Sequence, residues 1–421
     1  MAESATNLLD ATHLAACYRD LHRHPELSFE ESRTADIVAE HLRELGAEVH
    51  EGIGRTGVVG IVRNGEGPTV LLRADMDALP VTEDTGLDYA STATGTTPDG
   101  EQVGVMHACG HDVHTTCLLG AAAHLVAERT TWSGTLLLVF QPAEEVGAGA
   151  RAMLDDGLYD RAGIPDVVLG QHVTPLPAGT LALQAGPAFA ASDTLRITLH
   201  GQGSHASRPQ AGVDPIVLAA ATVLRLQTIV AREIPATETA VVTVGTLHAG
   251  SVANVIPDRA VLELSVRTFT EEVRAQVLDA IERIVHGEAT TAGAPTPPTI
   301  ERLSSFPAVV NDPEAAERTR TALAEVAAFG VVPEPGLVTG SEDVGLLAQD
   351  AGVPCVYWLL GGADPAAYAG AEDLEEVKRR MDALPTNHSP HFAPVIEPTL
   401  STGVRALVTA ARCWLGPAAE R

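Results

Sequence analysis

Lysine is almost missing from this chain. Lys378 stands alone, and arginine carries the rest of the positive charge. With Lys+Arg at 27 against Asp+Glu at 55, the formal net charge is -28. A surface of that sign repels phosphate backbones and anionic lipid heads, which sets aside nucleic acids and membrane surfaces as partners. Cysteine is scarce too: Cys17, Cys109, Cys117, Cys355 and Cys413 are odd in number and scattered, so no disulfide framework is expected. No apolar run reads as long enough to span a bilayer, and Met1–Asp10 has neither a basic start nor a signal-like apolar core. These absences together predict a soluble cytoplasmic protein. What is present is 421 residues with 45% hydrophobic content, more than one core usually holds, so two domains are expected.

The densest chemistry lies in Met106–His114, which reads Met-His-Ala-Cys-Gly-His-Asp-Val-His. Any one of these histidines alone would read as a solvated loop residue, and Cys109 alone as a small buried side chain. Thiolate and imidazole packed this closely are instead the ligand types of borderline-soft divalent metals. Cys109 and His111 are therefore metal-ligand candidates.

The flanking segments repeatedly end an apolar run in a polar group. Thr69–Ala74 ends in Arg73-Ala74-Asp75-Met76-Asp77, placing two carboxylates where open α/β sheets put their ligands. Asp75 and Asp77 are expected to orient a ligand imidazole. Gly134–Phe140, a strand buried on both faces, leads into Gln141-Pro142-Ala143-Glu144-Glu145, where one carboxylate can bind metal while the other handles a proton. Pro165–Gly170 delivers Gln171-His172. Upstream, residues 12–45 read as two helices broken at Pro25, with Ser28 and Glu31 as a capping box for the second and His22 and His24 as structural loop residues. Gly57–Val62 and Thr69–Ala74 read as a hairpin or tight connection around Asn64–Pro68. The helix after the metal loop is expected over Thr115–Arg129.

Residues 187–304 have strand, helix, strand, strand, helix, strand order, the pattern of a ferredoxin-like layer. Asp214-Pro215 opens its first helix, and Gly201–Ala206 is a glycine-rich loop carrying His205. Residues 305–421 return to alternating helix and strand. They contain His388 and His391, which only a fold returning the C-terminus to the first domain would recruit.

These segments resemble the metallo-aminoacylase and carboxypeptidase amidohydrolases, in the branch of hippurate hydrolases, N-acyl-amino-acid amidohydrolases and auxin-conjugate hydrolases. The carriers are His22–Ser28, Arg73–Pro80, Met106–Asp112, Gln141–Glu145, Gly203–Ala206, Asn254–Pro257 and Asn387–Pro390. The resemblance implies an α/β fold: a mostly parallel-sheet, zinc-peptidase-like catalytic domain (1–186 and 305–421) with an inserted α+β ferredoxin-like lid and dimerisation domain (187–304). It implies two divalent ions per subunit (zinc, manganese, cobalt or nickel) held by Cys109, His111, Glu145, His172 and His388, with Cys109 bridging. His388 is preferred over His391 for its place in His-Ser-Pro-x-Phe. Glu144 would be the general base. His205 would reach the partner subunit's site in a homodimer, and Asn254 and Arg267 would contact the carbonyl and carboxylate of an N-acyl amino acid. The rivals are a dipeptidase, an N-acyl-diamino-acid deacylase, or a non-catalytic binding protein of the same fold. The last is disfavoured because no member of the set Cys109, His111, Glu144, Glu145, His172, His388 is missing.

Overall fold

The computed structural model describes residues 8–328, 330–332 and 334–417. Met1–Asn7 and Ala418–Arg421, the ends of the expected first domain, lie outside the described residues. The chain divides into two compact units: Met1–Gly186 with Val310–Gly336 and Asp343–Arg421, and Pro187–Val309 with Leu337–Glu342. The second unit thus runs past residue 304 and takes in a short later segment.

The first unit is built on one large, mostly parallel sheet. In spatial order its strands are Glu48–Ile53, Gly57–Asn64, Trp132–Gln141, Thr69–Asp75, Val167–Pro177, Cys355–Ala363, Leu181–Ala182 and Val331–Val332. The four from Trp132–Gln141 to Cys355–Ala363 run parallel, and their apolar stretches (Leu136–Phe140, Val70–Leu72, Val167–Leu169) are buried, as strands covered on both faces must be. Gly57–Asn64 and Thr69–Asp75 do not form the expected hairpin. The all-apolar strand Trp132–Gln141 takes the place between them, antiparallel to one and parallel to the other. The connection crosses its start where Gly67 meets Gly134, so close that a Cβ on Gly67 would lie 3.0 Å from the Gly134 Cα. Helix His111–Ala127 is buried almost all round (Cys117, Leu118, Ala121, Leu125) and packs under the final helix, Ile396–Trp414, in one core.

The first two helices, Ala11–Arg23 and Ser32–Glu44, are present. Their expected capping box is not. Ser28 Oγ donates to Asp77 Oδ2 at 2.6 Å, and the carboxylate of Glu26 caps instead, accepting from the backbone N–H groups of Arg33 (2.9 Å) and Thr34 (2.8 Å). His22 is not a loop residue either. It ends the first helix, buried, with Nδ1 2.6 Å from Asp112 and Nε2 3.1 Å from Glu83, a bridge between two carboxylates. His24 is exposed.

The second unit is a four-stranded antiparallel sheet, ordered Ala240–Ala249, Arg259–Thr268, Ala191–His200, Thr299–Phe306. Arg259–Thr268 alternates cleanly, burying Ala260, Leu262, Leu264 and Val266 against helices Pro215–Leu226 and Glu271–Ala292. Asp214 caps the first helix through the Ile216 N–H at 2.8 Å, ahead of proline at its first position. One sequence expectation is corrected here: Pro215–Glu233, 19 residues of mean hydropathy 1.4, is apolar and long enough by composition to cross a membrane. Its Leu218, Ala219, Leu226 and Ile229 are buried in the unit's own core, while 33% of the stretch as a whole is buried.

Candidate metal centre

Helix His111–Ala127 begins earlier than expected, so His111 and His114 stand on its first turn, rings stacked with centroids 5.4 Å apart. Gly110 makes this start possible. Its φ of +81° is left-handed, and a Cβ there would sit 2.4 Å from Val173 Cγ1. His114 was not foreseen as a site residue. Its Nε2 accepts the Val173 N–H at 2.7 Å, so its ring proton is on Nδ1, which lies 2.6 Å from Asp75 Oδ1. Asp75 thereby orients His114, and its Oδ2 also lies 3.7 Å from His111 Nε2. The same Oδ2 receives Arg73 Nη1 at 2.6 Å.

Asp77 contacts both His111 and the glutamate turn. Oδ1 lies 3.2 Å from His111 Nδ1 and accepts the Glu144 N–H at 3.1 Å; Oδ2 accepts the Glu145 N–H at 3.1 Å. One carboxylate therefore fixes both an imidazole and the backbone of the two adjacent glutamates. The opposite atom, His111 Nε2, is buried without a hydrogen-bond partner, as is Glu145 Oε1. It faces Asp75 at 3.7 Å, Glu145 at 3.7 Å and Glu144 at 3.8 Å.

His172 lies inside strand Val167–Pro177, not beyond its end as the sequence suggested. Nδ1 is 2.8 Å from the Val173 carbonyl, leaving Nε2 toward Cys109 Sγ at 3.5 Å. His388 arrives from the C-terminal part of the chain, its Nε2 3.3 Å from Glu145 Oε2. Its backbone is strained at φ +71° and pinned, its N–H donating to the Ala108 carbonyl at 2.8 Å. Its neighbour Asn387 donates to the carbonyls of Cys109 and Val173, both at 3.1 Å. His391 points elsewhere, with Nδ1 2.6 Å from the Asp84 carbonyl. Five donor groups result among the described residues, each with ligand atoms within 4.8 Å of one another: Cys109–His111–His172, Cys109–Glu145–His388, His111–Glu144–Glu145, Asp75–His111–His114 and Glu144–Glu342–Asp343. The first two share Cys109.

The electrostatics fit a cation. Burial would lower the His111 pKa, but Asp75, Asp77 and Glu145 outweigh it and push it to about 10. Burial raises Glu145 to about 8 against the pull of His111, and burial plus the two glutamates hold the Cys109 thiol well above its usual range. Burial, with His114 beside it, keeps His172 well below the usual imidazole range. Acidic donors that share protons for want of positive charge, beside an orphaned imidazole nitrogen, are the donor set a divalent ion relieves.

Besides His114, two supporting residues were missed by sequence reasoning. Arg73 is fully buried, its Nε donating to Gln141 at 2.9 Å and its Nη2 to Asp343 at 3.1 Å. A charge inside an otherwise apolar strand was its only signal, since such a charge must be paired. Glu31, also buried, accepts from the N–H groups of Phe29 (2.8 Å) and Ala143 (2.9 Å) and from the Thr56 hydroxyl. Nothing in the sequence distinguishes it from a helix-start glutamate. Three other expected site residues belong to the second unit. His205 is exposed on the short strand Ser204–His205, which pairs with Val255–Ile256, and its Nδ1 accepts the Ser207 N–H at 3.1 Å. The same ladder brings Asn254 alongside, its carbonyl accepting the Ala206 N–H at 3.0 Å. Arg267, on strand Arg259–Thr268, donates to the Ser341 hydroxyl.

The chain belongs to peptidase family M20/M25/M40, whose family model matches residues 71–396. It is accordingly a metal-dependent hydrolase with the fold of that family. It is 39% identical to thermostable carboxypeptidase 1 of Saccharolobus solfataricus over 348 residues, covering 82% of this chain and 84% of that protein. It is 46% identical to the N-acetyl-L-cysteine deacetylase of Bacillus subtilis over 261 residues, 62% of this chain and 60% of the relative. Among solved structures, a dinuclear metal-binding peptidase of the M20 family from Bacillus subtilis superposes with a TM-score of 0.75 at 31% identity, covering 95% of this chain and 97% of that one.

Proposed function

We propose that this enzyme hydrolyses the amide bond of N-acyl amino acids, releasing a carboxylic acid and an amino acid. The observation that carries the reading is the pair of donor clusters joined at Cys109, with the Glu144 carboxylate beside them. The deacetylase relative supports the substrate class. In this reading Cys109, His111, His172, Glu145 and His388 would hold the ions. Zinc, manganese, cobalt or nickel suits such mixed thiolate, imidazole and carboxylate donors. When bound, the ions polarise the amide carbonyl and lower the pKa of water.

The protein's own groups do the rest. Asp77 holds the Glu144 backbone, so that its carboxylate removes a proton from the attacking water and returns it to the departing amine nitrogen. His205, supplied by a partner subunit, donates to the oxyanion on the former carbonyl, while Asn254 and Arg267 hold the substrate's carbonyl and carboxylate. The dimer this requires forms through the second unit. Supporting it, helix Pro215–Leu226 exposes Ile216, Val217 and Leu224, and the edge strand Ala240–Ala249 exposes Val241 and Leu247.

The carboxypeptidase relative favours a second reading, cleavage of peptides at the same centre. Chelated protein reloaded with each metal and offered N-acyl amino acids and dipeptides decides between them, with Glu144→Ala as control. Metal-restored turnover of acylated amino acids, absent in the variant, is expected. Turnover of dipeptides alone moves the assignment to the peptidase.

A further inference from the structure

Immediately after Glu145 stands Val146, an apolar side chain left 50% exposed beside the donor cluster. Both residues line a cavity of about 700 Å³ formed wholly within the first unit. That is the size of pockets that enclose small organic ligands. Leu27, Phe29 and Leu79 supply much of the remaining wall, and the Ser28 hydroxyl is spent on Asp77.

One wall is built at a conformational cost. Phe29 (φ +66°) and Arg55 (φ +85°) both hold the left-handed backbone that glycine adopts freely, yet both keep long side chains. Those side chains stack, with Arg55 Cζ 4.5 Å from the centre of the Phe29 ring. Buried Glu31 accepts from the Phe29 N–H and from the hydroxyl of Thr56, next to Arg55, and so fixes both halves of the stack. The same carboxylate accepts the Ala143 N–H, which ties this wall to the Glu144–Glu145 turn. The stack is thus a fixed surface registered against the donor cluster.

An N-acyl amino acid extends two ways from its amide, one apolar and one bearing a carboxylate. Leu27, Phe29, Leu79 and Val146 make the cavity wall mainly apolar, and the Arg55 guanidinium is exposed and lies over the Phe29 ring, so the interior suits the apolar arm. We propose that this cavity is the acyl subsite, shaped for an uncharged apolar acyl group larger than acetyl, with Phe29, Arg55 and Val146 as its specificity-determining residues. This rests on the N-acyl amino acid reading above.

The test compares benzoyl and acetyl forms of one amino acid in the parent enzyme, Phe29→Ala and Val146→Asp, with metal content measured in each. Val146 is half exposed, so its variant keeps the experiment sound even where the phenylalanine variant folds poorly. The benzoyl-to-acetyl ratio of kcat/KM is expected to fall at least tenfold in both. In parallel, ligand-observed NMR on chelated protein should show benzoate binding in the parent, with at least tenfold weaker binding in Val146→Asp. Hydrolysis with an unshifted ratio and unchanged benzoate binding overturns the subsite alone. A selectivity change that follows the amino acid rather than the acyl group overturns it as well. A parent enzyme that hydrolyses no N-acyl amino acid overturns the functional reading and the acyl assignment with it.

Discussion

Glu31 gives the sharpest test of how the site is held. Its carboxylate is fully buried, and burial, with Asp77 nearby, raises its pKa from 4.5 to about 7. Because the folded value lies above the unfolded one, the stability this group contributes is complete below about pH 4.5 and is lost as pH rises through 7. A displacement of that size is worth roughly 3 kcal/mol. Glu31→Gln keeps one acceptor oxygen for the Phe29 and Ala143 N–H groups, and its new amide can donate to the Thr56 hydroxyl, but it never ionises. The variant should come within about 1 kcal/mol of the parent near pH 5 and exceed it at pH 8 by up to about 3 kcal/mol. Glu31→Ala instead strands two buried N–H groups at about 1–3 kcal/mol each and should be less stable at both pH values. Urea denaturation in chelator, at pH 5 and pH 8, reads the difference, because the titrations of groups remote from Glu31 cancel between variants. An offset between the glutamine variant and the parent that does not change with pH would falsify the burial argument.

Other outcomes follow from the same structure. Burial would lower the His22 pKa, but Asp112 and Glu83 raise it to about 9, so its stabilisation is full below about 6.5 and fades as pH passes 9. Melting curves from pH 7 to 10 should fall less steeply for His22→Asn than for the parent, and equal slopes would count against the ion pair. Arg274 clasps the buried Asp193 through Nε at 2.7 Å and Nη2 at 2.8 Å. Arg274→Met leaves that carboxylate only the Ser305 hydroxyl at 2.9 Å and Arg302 Nε at 3.5 Å, and should cost about 1–3 kcal/mol, seen as earlier unfolding of the second unit; a shift under about 1 kcal/mol counts against this. Cys109→Ala should lower metal stoichiometry as measured by elemental analysis, whereas Glu144→Gln should retain metal and lose roughly 10²–10⁴-fold in kcat. The opposite pattern would exchange the roles of the two residues.

Local chemistry was readable where pattern and packing agree. The apolar run Leu136–Phe140 could only be a doubly buried strand, and alternation over Arg259–Thr268 placed that strand to the residue. Helix His111–Ala127 was read as starting at Thr115 because its metal-type residues looked like loop; Gly110 at φ +81° starts it at once. Pairing was harder to see. A short turn between Gly57–Asn64 and Thr69–Asp75 suggests a hairpin, and only the competition of a more apolar strand far along the chain prevents it. The centre shows the same divide. Cys109, His111, Glu144, Glu145, His172 and His388 were nameable from residue type, and the structure brings their side chains together. The partners of Arg73, Glu31 and His114 lie far away in sequence, at Asp343, Ala143 and Val173, so their work was invisible.

Strand Cys355–Ala363 fills the gap between Val167–Pro177 and Leu181–Ala182, two strands made one after the other. During synthesis the earlier strand therefore emerges with a bare, apolar edge. At about 5–20 residues per second, the strand that covers it follows roughly ten to forty seconds later. His388 is later still, so the nascent chain carries Cys109 and Glu145 long before the histidine that the fold sets beside them. In that interval the half-built sheet is a template for stray pairing between neighbouring chains. The order of synthesis thus leaves the edge of Val167–Pro177 to be covered by a strand made 178 residues after it ends.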